Sequence, residues 1–427
     1  MLGLNLFKQH DKKNLATAKT QTAGSGISTP VNPLLNNSGL NNIQNFYRQP
    51  DFSWQEVSLD TLKQQGIYKN DEKKKLKGKE VVLDRFTMAD GSSIALAPDL
   101  GANIMNLKLG DREIIESPLM KNKAADNYVP KIQGAPLITP PNRTHGKIHM
   151  PNGKTIDLLP WHKRMWQKLP FTKKSYNYDH GNMIHGRVYK NKWSLDKTEM
   201  NQSGDLKITY KFNTKDDPVL KKKFGEAEFK IAYIMTKDPV TGAPKMKTEV
   251  EVTNTGNKKS ANQGVYPLVG LGFHPYIKVD KGATFSAPVT QQYKVDKDLI
   301  PTGELMPPEQ SLIQTGIPVS QKKSGLIDTT YTGLVNNYTS PVNGHSFAQT
   351  TINLAKGGVI NVNQGTDFFN HLTIYNGDPD HLCVEPLSCA ADASGLQAKG
   401  VAGTSARFLR PGETVRGDYA IVYQPQN

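Results

Sequence analysis

Cysteine is almost absent from this chain of 427 residues, which contains only Cys383 and Cys389. Two cysteines are too few for the disulfide framework of a small secreted domain. If the segment between them is extended, they lie roughly 20 Å apart, too far for a disulfide. No further cysteine is near enough to complete a metal site. We therefore expect two free thiols.

Long apolar runs are also missing. No stretch approaches the ~20 apolar residues that a membrane-spanning helix requires. The N-terminal stretch MLGLNLFKQHDKKNLATAKTQT has charges inside its short apolar part and lacks the core of a signal peptide. These features predict a cytoplasmic protein without a membrane partner.

The net charge of +14 raises the possibility of a nucleic-acid partner. The lysines, however, occur in small separate groups, such as residues 73–75 and 221–223, and several alternate with apolar residues. Neither an aromatic RNA-binding signature nor a helix-turn-helix pattern is present. We interpret the lysines as solvated strand faces and predict no nucleic-acid partner.

Composition divides the chain into three parts. Residues 1–50 are rich in Asn, Gln, Ser, Thr and Gly, which offer too little apolar area to offset the entropy of ordering, so they predict a flexible low-complexity tail. Residues 51–79 form a lead-in segment that ends in the charged KNDEKKKLKGK. Residues 80–427 are predicted to form one large domain.

The predicted domain alternates apolar and polar residues with a period of two. In DLKITYKFN the apolar positions are Leu206, Ile208, Tyr210 and Phe212, and EFKIAYIM repeats the pattern. Such alternation is typical of half-buried antiparallel strands. Turn signals such as PNGK and YNGDPD recur at short intervals, and long helical periodicity is missing. The pattern predicts an all-β fold, a large antiparallel β-sandwich.

Polar residues that a β core does not explain occur at five places: Asn142–Arg143, His185, His274, Asp328 and Glu385. Glu385 ends the apolar run LCV, where a buried carboxylate is costly unless it is paired or functional. His274 in GLGFHPYIKV is restricted by Pro275 to an extended backbone, which suits a general acid and equally a packed imidazole. The remaining residues have ordinary alternatives, namely a surface ion pair, a structural histidine and a turn-forming aspartate.

Other kinds of chemistry are disfavoured by their spacing. His145 and His149 are four apart in HGKIH, but Gly146 and the turn PNGK indicate a strand and no third ligand follows, so no metal is predicted. GLGFHP is not a dinucleotide loop, because Pro275 replaces the third glycine and no helical pattern follows. With no serine elbow or phosphate loop, the residues favour cofactor-free general acid–base catalysis.

Seven short motifs follow one another between residues 80 and 424: NRTHGKI, IHGRVYKNKW, GFHPYIKV, VDKDLIPTGE, LIDTTYTGL, CVEPLSCAADA and FLRPGET. Their order resembles that of the aldose 1-epimerase family, also called galactose mutarotases. Each motif is short, but six or more in the right order are hard to obtain by chance. The resemblance implies a β-sandwich of the galactose mutarotase type, in agreement with the alternation.

The resemblance also implies roles for the candidate residues. Glu385 corresponds to the general base and His274 to the general acid, with His185 assisting at the ring oxygen or a neighbouring hydroxyl. The residues expected to bind sugar hydroxyls are Asn142, Arg143 and Asp328. Two positions depart from the family pattern, since Leu387 replaces a Gln and Ala391 replaces a Pro. Both departures can alter sugar contacts without removing the acid–base pair.

The sequence therefore predicts an aldose 1-epimerase that interconverts the anomers of free hexoses without a cofactor. A hexose-6-phosphate mutarotase of the same fold is one alternative, with Arg143, Arg164 and Arg187 available for a phosphate. A non-catalytic carbohydrate-binding protein is another. In each case the partner is a small sugar, and the protein is expected to be a monomer or a homodimer.

Overall fold

The computed structural model describes residues 53–76, 79–120, 133–158, 183–259, 261–314, 316–319, 326–340, 344–378 and 380–426. The predicted flexible tail, residues 1–50, lies outside the described residues, and its flexibility remains a prediction. Residues 51–79 are described from residue 53 onward, except for residues 77 and 78.

Strands account for most of the described residues. In chain order they are β1 Gln55–Glu56, β2 Tyr68–Leu76, β3 Lys79–Thr87, β4 Ser93–Ala97, β5 Asn103–Leu109, β6 Arg112–Glu116, β7 Leu137–Ile138, β8 Arg143–Thr144, β9 Lys147–His149, β10 Thr155–Asp157, β11 Met183–Ile184, β12 Ser194–Met200, β13 Leu206–Asn213, β14 Ala227–Lys237 and β15 Pro244–Asn254. The second half contains β16 Tyr266–Val269, β17 Gly272–Phe273, β18 Tyr276–Lys278, β19 Thr284–Ser286, β20 Val289–Val295, β21 Pro301–Met306, β22 Ile317–Pro318, β23 Asp328–Leu334, β24 Tyr338–Thr339, β25 Ser346–Asn353, β26 Val359–Gly365, β27 His371–Asp378, β28 His381–Leu387, β29 Arg407–Leu409 and β30 Thr414–Gln424.

Helices in the described residues are short. The α-helices are α1 Leu59–Gln64, α2 Pro218–Phe224, α3 Gln310–Gln314 and α4 Ala393–Ala398. Single 3-10 turns occupy Pro98–Leu100, Pro118–Met120, Val188–Lys190, Thr214–Asp216 and Ala261–Gly264. In this part of the chain, each helix falls short of the length and apolar character needed to cross a membrane.

Two large antiparallel sheets contain most of these strands. Within the described residues the first sheet has eleven strands in the order β1-β12-β13-β14-β15-β30-β26-β25-β19-β22, with β24 paired to β25. The second has thirteen, in the order β2-β3-β4-β5-β6-β18-β28-β27-β23-β20-β21, with β17 paired to β28 and β7. The predicted all-β fold is confirmed.

The core lies between the two sheets and follows the period-two pattern. Alternate residues of β13 and β14, from Leu206 to Phe212 and from Phe229 to Met235, are buried in one cluster with residues of β4 and β5. Two buried tyrosines connect the sheets through their hydroxyls. Tyr210 donates to Asp84 at 2.6 Å, and Tyr233 donates to the carbonyl of Ala102 at 2.8 Å. The alternation predicted for these strands is confirmed.

The opposite face of the first sheet carries the charged residues of the same strands. Lys207 and Lys247 both contact Glu249, at 2.9 and 3.0 Å, and Lys247 also contacts Asp418 at 3.1 Å. Ion pairs of this kind at a partly exposed surface contribute little to stability. Much of the lysine content of these strands is thus matched by neighbouring carboxylates.

Residues 53–76, within the charged lead-in segment, add strands to both sheets. β1 pairs with β12 at the edge of the first sheet, and β2 pairs with β3 in the second. α1 lies between them, with its first turn capped by the Ser58 hydroxyl, which accepts from the amide of Thr61 at 3.1 Å. Leu62 on this helix is buried in the core.

Candidate active site

Glu385 lies on β28, where strands pair on both sides. On one side β27 places Thr373 directly opposite Glu385, and β23 places Thr330 opposite Thr373. On the other side Gly272 is opposite Leu387 and Tyr276 is opposite Cys383. Continuing that register places His274 opposite Glu385. Cross-strand neighbours share one face of a sheet, so these four polar residues form a row.

Pro275 interrupts the ladder beside His274. A proline has no backbone N–H to donate, so β17 and β18 are separate strands on either side of it. The amide of His274 instead donates to the carbonyl of Pro136 at 3.2 Å, and that of Tyr276 donates to Gly134 at 2.8 Å. This local backbone aims the imidazole of His274 at the neighbouring strand.

His274 and Glu385 form a buried pair. Nε2 of His274 is 3.3 Å from Oε1 of Glu385, and their side chains are 6% and 2% exposed. His185 packs against the same imidazole, with ring centroids 5.2 Å apart and planes at 89°. An imidazole and a carboxylate at this distance are able to exchange a proton directly or through a bound group.

The environment of Glu385 shifts its titration. Burial raises the pKa of the Glu385 carboxyl well above its ordinary value. The negative charge of Asp328 raises it further, while the guanidinium of Arg143 acts in the opposite direction. A carboxyl with a raised pKa is a more effective proton acceptor once it is ionised, which is a typical property of catalytic groups.

Two paired segments, residues 142–144 and 183–186, bring Asn142, Arg143 and His185 to this row. β8, which begins at Arg143, pairs with β11, and Ile184 is opposite Arg143. The amide of His185 donates to the carbonyl of Asn142 at 2.9 Å. Asn142 and His185 have φ values of 52° and 60°, which non-glycine residues seldom adopt. Local strain of this kind is common at functional sites.

Gly186 permits the backbone next to His185 to approach Thr139 closely. A Cβ at this position would lie 1.6 Å from the carbonyl oxygen of Thr139, with which Gly186 forms an isolated bridge. Its φ of 62° is also in the left-handed region. Only a glycine fits this close approach beside His185.

Arg143 and Asp328 face each other across the site. Nη1 of Arg143 is 3.4 Å from Oδ2 of Asp328, and the two side chains are 20% and 25% exposed. Asp328 is the first residue of β23, two positions before Thr330, so both lie on the same face of that strand. The pair combines hydrogen-bond donors and acceptors suitable for sugar hydroxyls.

Asn142 lies deeper than Arg143 and is 8% exposed. Its Nδ2 donates to the hydroxyl of Thr373 at 2.7 Å and approaches that of Thr330 at 3.4 Å. The two threonine hydroxyls are themselves 2.8 Å apart. The side-chain amide of Asn142 thus connects the segment that carries Arg143 to the strands beside Glu385.

The structure brings all six predicted site residues into one region. Of the arginines considered for a phosphate, Arg164 lies outside the described residues, and Nε of Arg187 is 2.9 Å from Oδ2 of Asp217. His149 ends β9, which forms a hairpin with β10, so the predicted strand around HGKIH is confirmed. Cys383 and Cys389 are buried free thiols, as predicted.

Four further residues of the site were not predicted from the sequence. Thr373 lies on the polar face of β27, where the alternation of LTIY could have indicated it. Thr330 and Tyr276 lie on β23 and β18, and that alternation does not mark them. The ring of Tyr276 lies nearly parallel to that of His274, with centroids 6.0 Å apart. Asp392, inside the motif CVEPLSCAADA, is buried and accepts from the amide of His145 at 3.1 Å.

Comparison with solved structures shows the same fold. A galactose mutarotase-like protein from Clostridium acetobutylicum matches with a TM-score of 0.64 and 21% identity, covering 83% of this chain and 98% of that one. Galactose 1-epimerase from Lactobacillus acidophilus NCFM matches with 0.59 and 11% identity, covering 84% and 98%. An aldose epimerase homologue from C. elegans matches with 0.55 and 14% identity, covering 81% and 100%.

The sequence profile of one protein family also matches. It is described as aldose 1-epimerase, and it covers residues 84–421, most of the chain and every residue of the candidate site. The resemblance seen in the ordered motifs is thereby confirmed. This chain belongs to the aldose 1-epimerase family.

Proposed function

We propose that this enzyme interconverts the α and β anomers of free hexoses such as galactose and glucose, with Glu385 as general base and His274 as general acid. Membership of the family indicates the general kind of activity, that of an epimerase or mutarotase. The observation that carries the residue assignment is the buried contact of 3.3 Å between His274 and Glu385.

The reaction requires two protons to move at neighbouring atoms. Glu385 takes the proton of the C1 hydroxyl while His274 gives a proton to the ring oxygen, and the bond between C1 and that oxygen breaks. The resulting aldehyde rotates about the C1–C2 bond. The freed hydroxyl then attacks the other face of C1, returning its proton to His274, and Glu385 returns the first proton to the carbonyl oxygen.

The distance between the two groups suits this exchange. The hydroxyl oxygen and the ring oxygen are both bonded to C1, so an acid and a base acting on them must be close neighbours. Each well-placed group typically contributes about 10²–10⁴-fold to the rate. Side chains account for every proton that moves, so the proposed reaction uses no cofactor.

The surrounding residues are proposed to orient the sugar. Arg143 and Asp328 offer a donor and an acceptor to its hydroxyls, and His185 assists at the ring oxygen or the neighbouring hydroxyl. His185 supports this role by its edge-on packing at 5.2 Å against His274. The positive charge of Arg143 also favours the ionised form of Glu385 that the first step needs.

A free sugar fits the described residues better than a phosphate ester. A phosphate calls for two or more convergent cations. Arg143 lies against Asp328 at 3.4 Å and Arg187 lies against Asp217 at 2.9 Å, so both charges are already balanced by carboxylates. An anionic substrate would also meet Asp328 and Glu385 directly.

The proposed setting is the cytoplasm, where the enzyme acts on its sugar as a monomer or a homodimer. Two buried thiols that remain reduced are in keeping with a reducing compartment.

Polarimetry tests the proposal. Freshly dissolved α-galactose, α-glucose and α-glucose 6-phosphate are followed with and without enzyme, and Glu385→Gln serves as the control. We expect the wild-type enzyme to accelerate the mutarotation of the free hexoses, and we expect Glu385→Gln to lack this acceleration. A preference for the phosphate ester would overturn the substrate, and sugar binding without faster mutarotation would indicate a non-catalytic binding protein.

A further inference from the structure

The backbone on the N-terminal side of Arg143 is held by Asn142. The side-chain Nδ2 of Asn142 donates to the hydroxyl of Thr373 at 2.7 Å, on the strand next to Glu385, and its backbone carbonyl accepts from the backbone amide of His185 at 2.9 Å. One residue therefore connects Arg143, His185 and the strand beside the general base. Its φ of 52° is a conformation that asparagine tolerates better than most residues.

The backbone on the C-terminal side of Arg143 is held by Asp392. The amide of Asp392 donates to the carbonyl of Arg143 at 2.9 Å, and its Oδ1 accepts from the amide of His145 at 3.1 Å. Asp392 is 2% exposed and lies five residues after the end of β28. The strand that carries Glu385 thus leads directly into this second contact.

From these contacts we propose that Asn142 and Asp392 are positioning residues, which hold Arg143 from both sides and fix its guanidinium relative to Glu385 and Asp328. Asn142 was predicted as a sugar ligand. Under this proposal it affects sugar binding by positioning Arg143. The inference rests on the proposed function, because it concerns the placement of a group that binds the sugar.

The action of a guanidinium on sugar hydroxyls depends on its placement. A guanidinium recognises hydroxyls through N–H groups of fixed direction, so a small displacement of its backbone weakens several hydrogen bonds together. Misplacement of a binding group by about 1 Å can cost about 10²-fold in rate. Asn142 anchors Arg143 to β27, and Asp392 anchors it to the segment that follows β28, so both contacts oppose such a displacement.

A double-mutant cycle between Asn142 and Arg143 tests the proposal. Asn142→Gly removes the amide while permitting the positive φ. We expect it to lower kcat/KM for galactose at least tenfold in the wild-type background, mainly through KM. In the Arg143→Ala background the same change should cost less than threefold, because the group it positions is already missing.

Asn262→Gly is a matched control. Asn262 has a φ of 56°, and its Nδ2 donates to the carbonyls of Lys223 and Phe224 at 3.1 and 3.4 Å, away from the site residues. Its replacement removes the same group from the same backbone conformation. We expect kcat/KM to stay within threefold of the wild type while the melting temperature falls.

Asp392 is tested by a pair of variants. Asp392→Asn keeps an oxygen that can accept from His145 and tolerates the φ of 49°, so kcat/KM should stay within threefold. Asp392→Ala removes that acceptor and should lower kcat/KM at least tenfold. If Asn142→Gly fails to fold, Thr373→Val replaces it in the cycle, because it removes the acceptor and preserves the side-chain shape.

Several outcomes contradict the proposal. Losses of tenfold or more for Asn142→Gly in both backgrounds would show that Asn142 contacts the sugar itself. A change no larger than that of Asn262→Gly would show that its contacts are only structural. An inactive wild-type enzyme would refute the proposed function, and this inference with it, whereas an active wild type with multiplicative losses would refute the inference alone.

Discussion

Nε2 of His274 and Oε1 of Glu385 lie 3.3 Å apart, with both side chains almost completely buried. An unpaired carboxylate would be costly in this position. The sheet register that places His274 opposite Glu385 therefore joins two groups that stabilise each other's charge when one proton is transferred between them.

The acidic limb of the pH–rate profile should respond to the charges around Glu385. Asp328 raises and Arg143 lowers the pKa of the Glu385 carboxyl. Asp328→Asn should therefore move the acidic limb of kcat/KM to lower pH, and Arg143→Gln should move it to higher pH. Both variants lower the maximum rate, but the midpoint of the limb does not depend on that maximum. Shifts in the same direction would contradict the prediction.

Glu385→Gln should gain stability relative to the wild type as the pH rises. Burial raises the folded-state pKa, so above pH ~4.3 the folded protein retains a proton that the unfolded chain has released. The stability that the wild type gains from keeping this carboxyl protonated is complete below the unfolded-state pKa. It is lost as the pH rises toward the folded-state pKa. The difference in the free energy of unfolding should grow by about 1.4 kcal/mol per pH unit in this window.

Urea unfolding of Glu385→Gln and wild type at several pH values from 4 to 7 measures this difference. Glu304→Gln, at a side chain that is 68% exposed, is the control. A difference for Glu385→Gln that stays constant across the series would contradict a raised pKa.

His371 should make the protein sensitive to acid. Burial lowers the pKa of its imidazole from 6.5 to about 4, and the ring lies 2.7 Å from Oδ1 of Asn370 and 3.2 Å from the hydroxyl of Tyr293. Below pH 6.5 the unfolded chain binds a proton that the folded protein does not. The stabilisation present above pH 6.5 should therefore be lost as the pH falls to about 4, by about 3 kcal/mol.

Replacing His371 tests that contribution. His371→Gln should lack this part of the acid destabilisation, so its unfolding free energy should depend less on pH between 6.5 and 4. The exposed His345→Gln variant is the control. If His371→Gln and wild type have parallel profiles, the acid sensitivity originates elsewhere.

Gly186→Ala should disrupt the segment that carries His185. The added Cβ would lie 1.6 Å from the carbonyl oxygen of Thr139, so the backbone must move. Gly153 has a similar φ of 80° with no atom within 4 Å of an added Cβ, so Gly153→Ala measures the conformational strain alone. We expect Gly186→Ala to lose about 2 kcal/mol more than Gly153→Ala, together with most of the activity. Equal losses in thermal unfolding would show that the close approach is not a constraint.

Local patterns in the sequence predicted the strands well. The alternation around Leu206 and Phe229 marks their buried faces, because a period of two is a property of each strand by itself. Glu385 stood out for the same reason, since a carboxylate next to an apolar run conflicts with burial.

The contacts between distant segments could not be predicted in this way. The register that places His274 opposite Glu385, and the pairing of Arg143 with Asp328, depend on the order of strands in the sheet. The sequence contains many strands of similar pattern, and nothing local specifies which ones become neighbours. Only the resemblance of ordered motifs connected these residues before the fold was known.

The role of Asn142 illustrates the same limit. The resemblance of motifs implies that Asn142 binds a sugar hydroxyl, but it does not reveal that the side-chain Nδ2 of Asn142 donates to Thr373, far away in the sequence. The hydroxyl of Thr373 is recognisable as a partner only once β27 is placed beside β28.

The most direct test is a double-mutant cycle between Glu385 and His274, measured as kcat for the mutarotation of α-galactose by polarimetry. Groups that act as one unit are strongly non-additive. Glu385→Gln and His274→Asn should each lower kcat by at least about 10²-fold, and the double variant should be within about threefold of the poorer single variant. A Glu385→Gln enzyme that keeps more than about a tenth of the wild-type kcat would contradict the account.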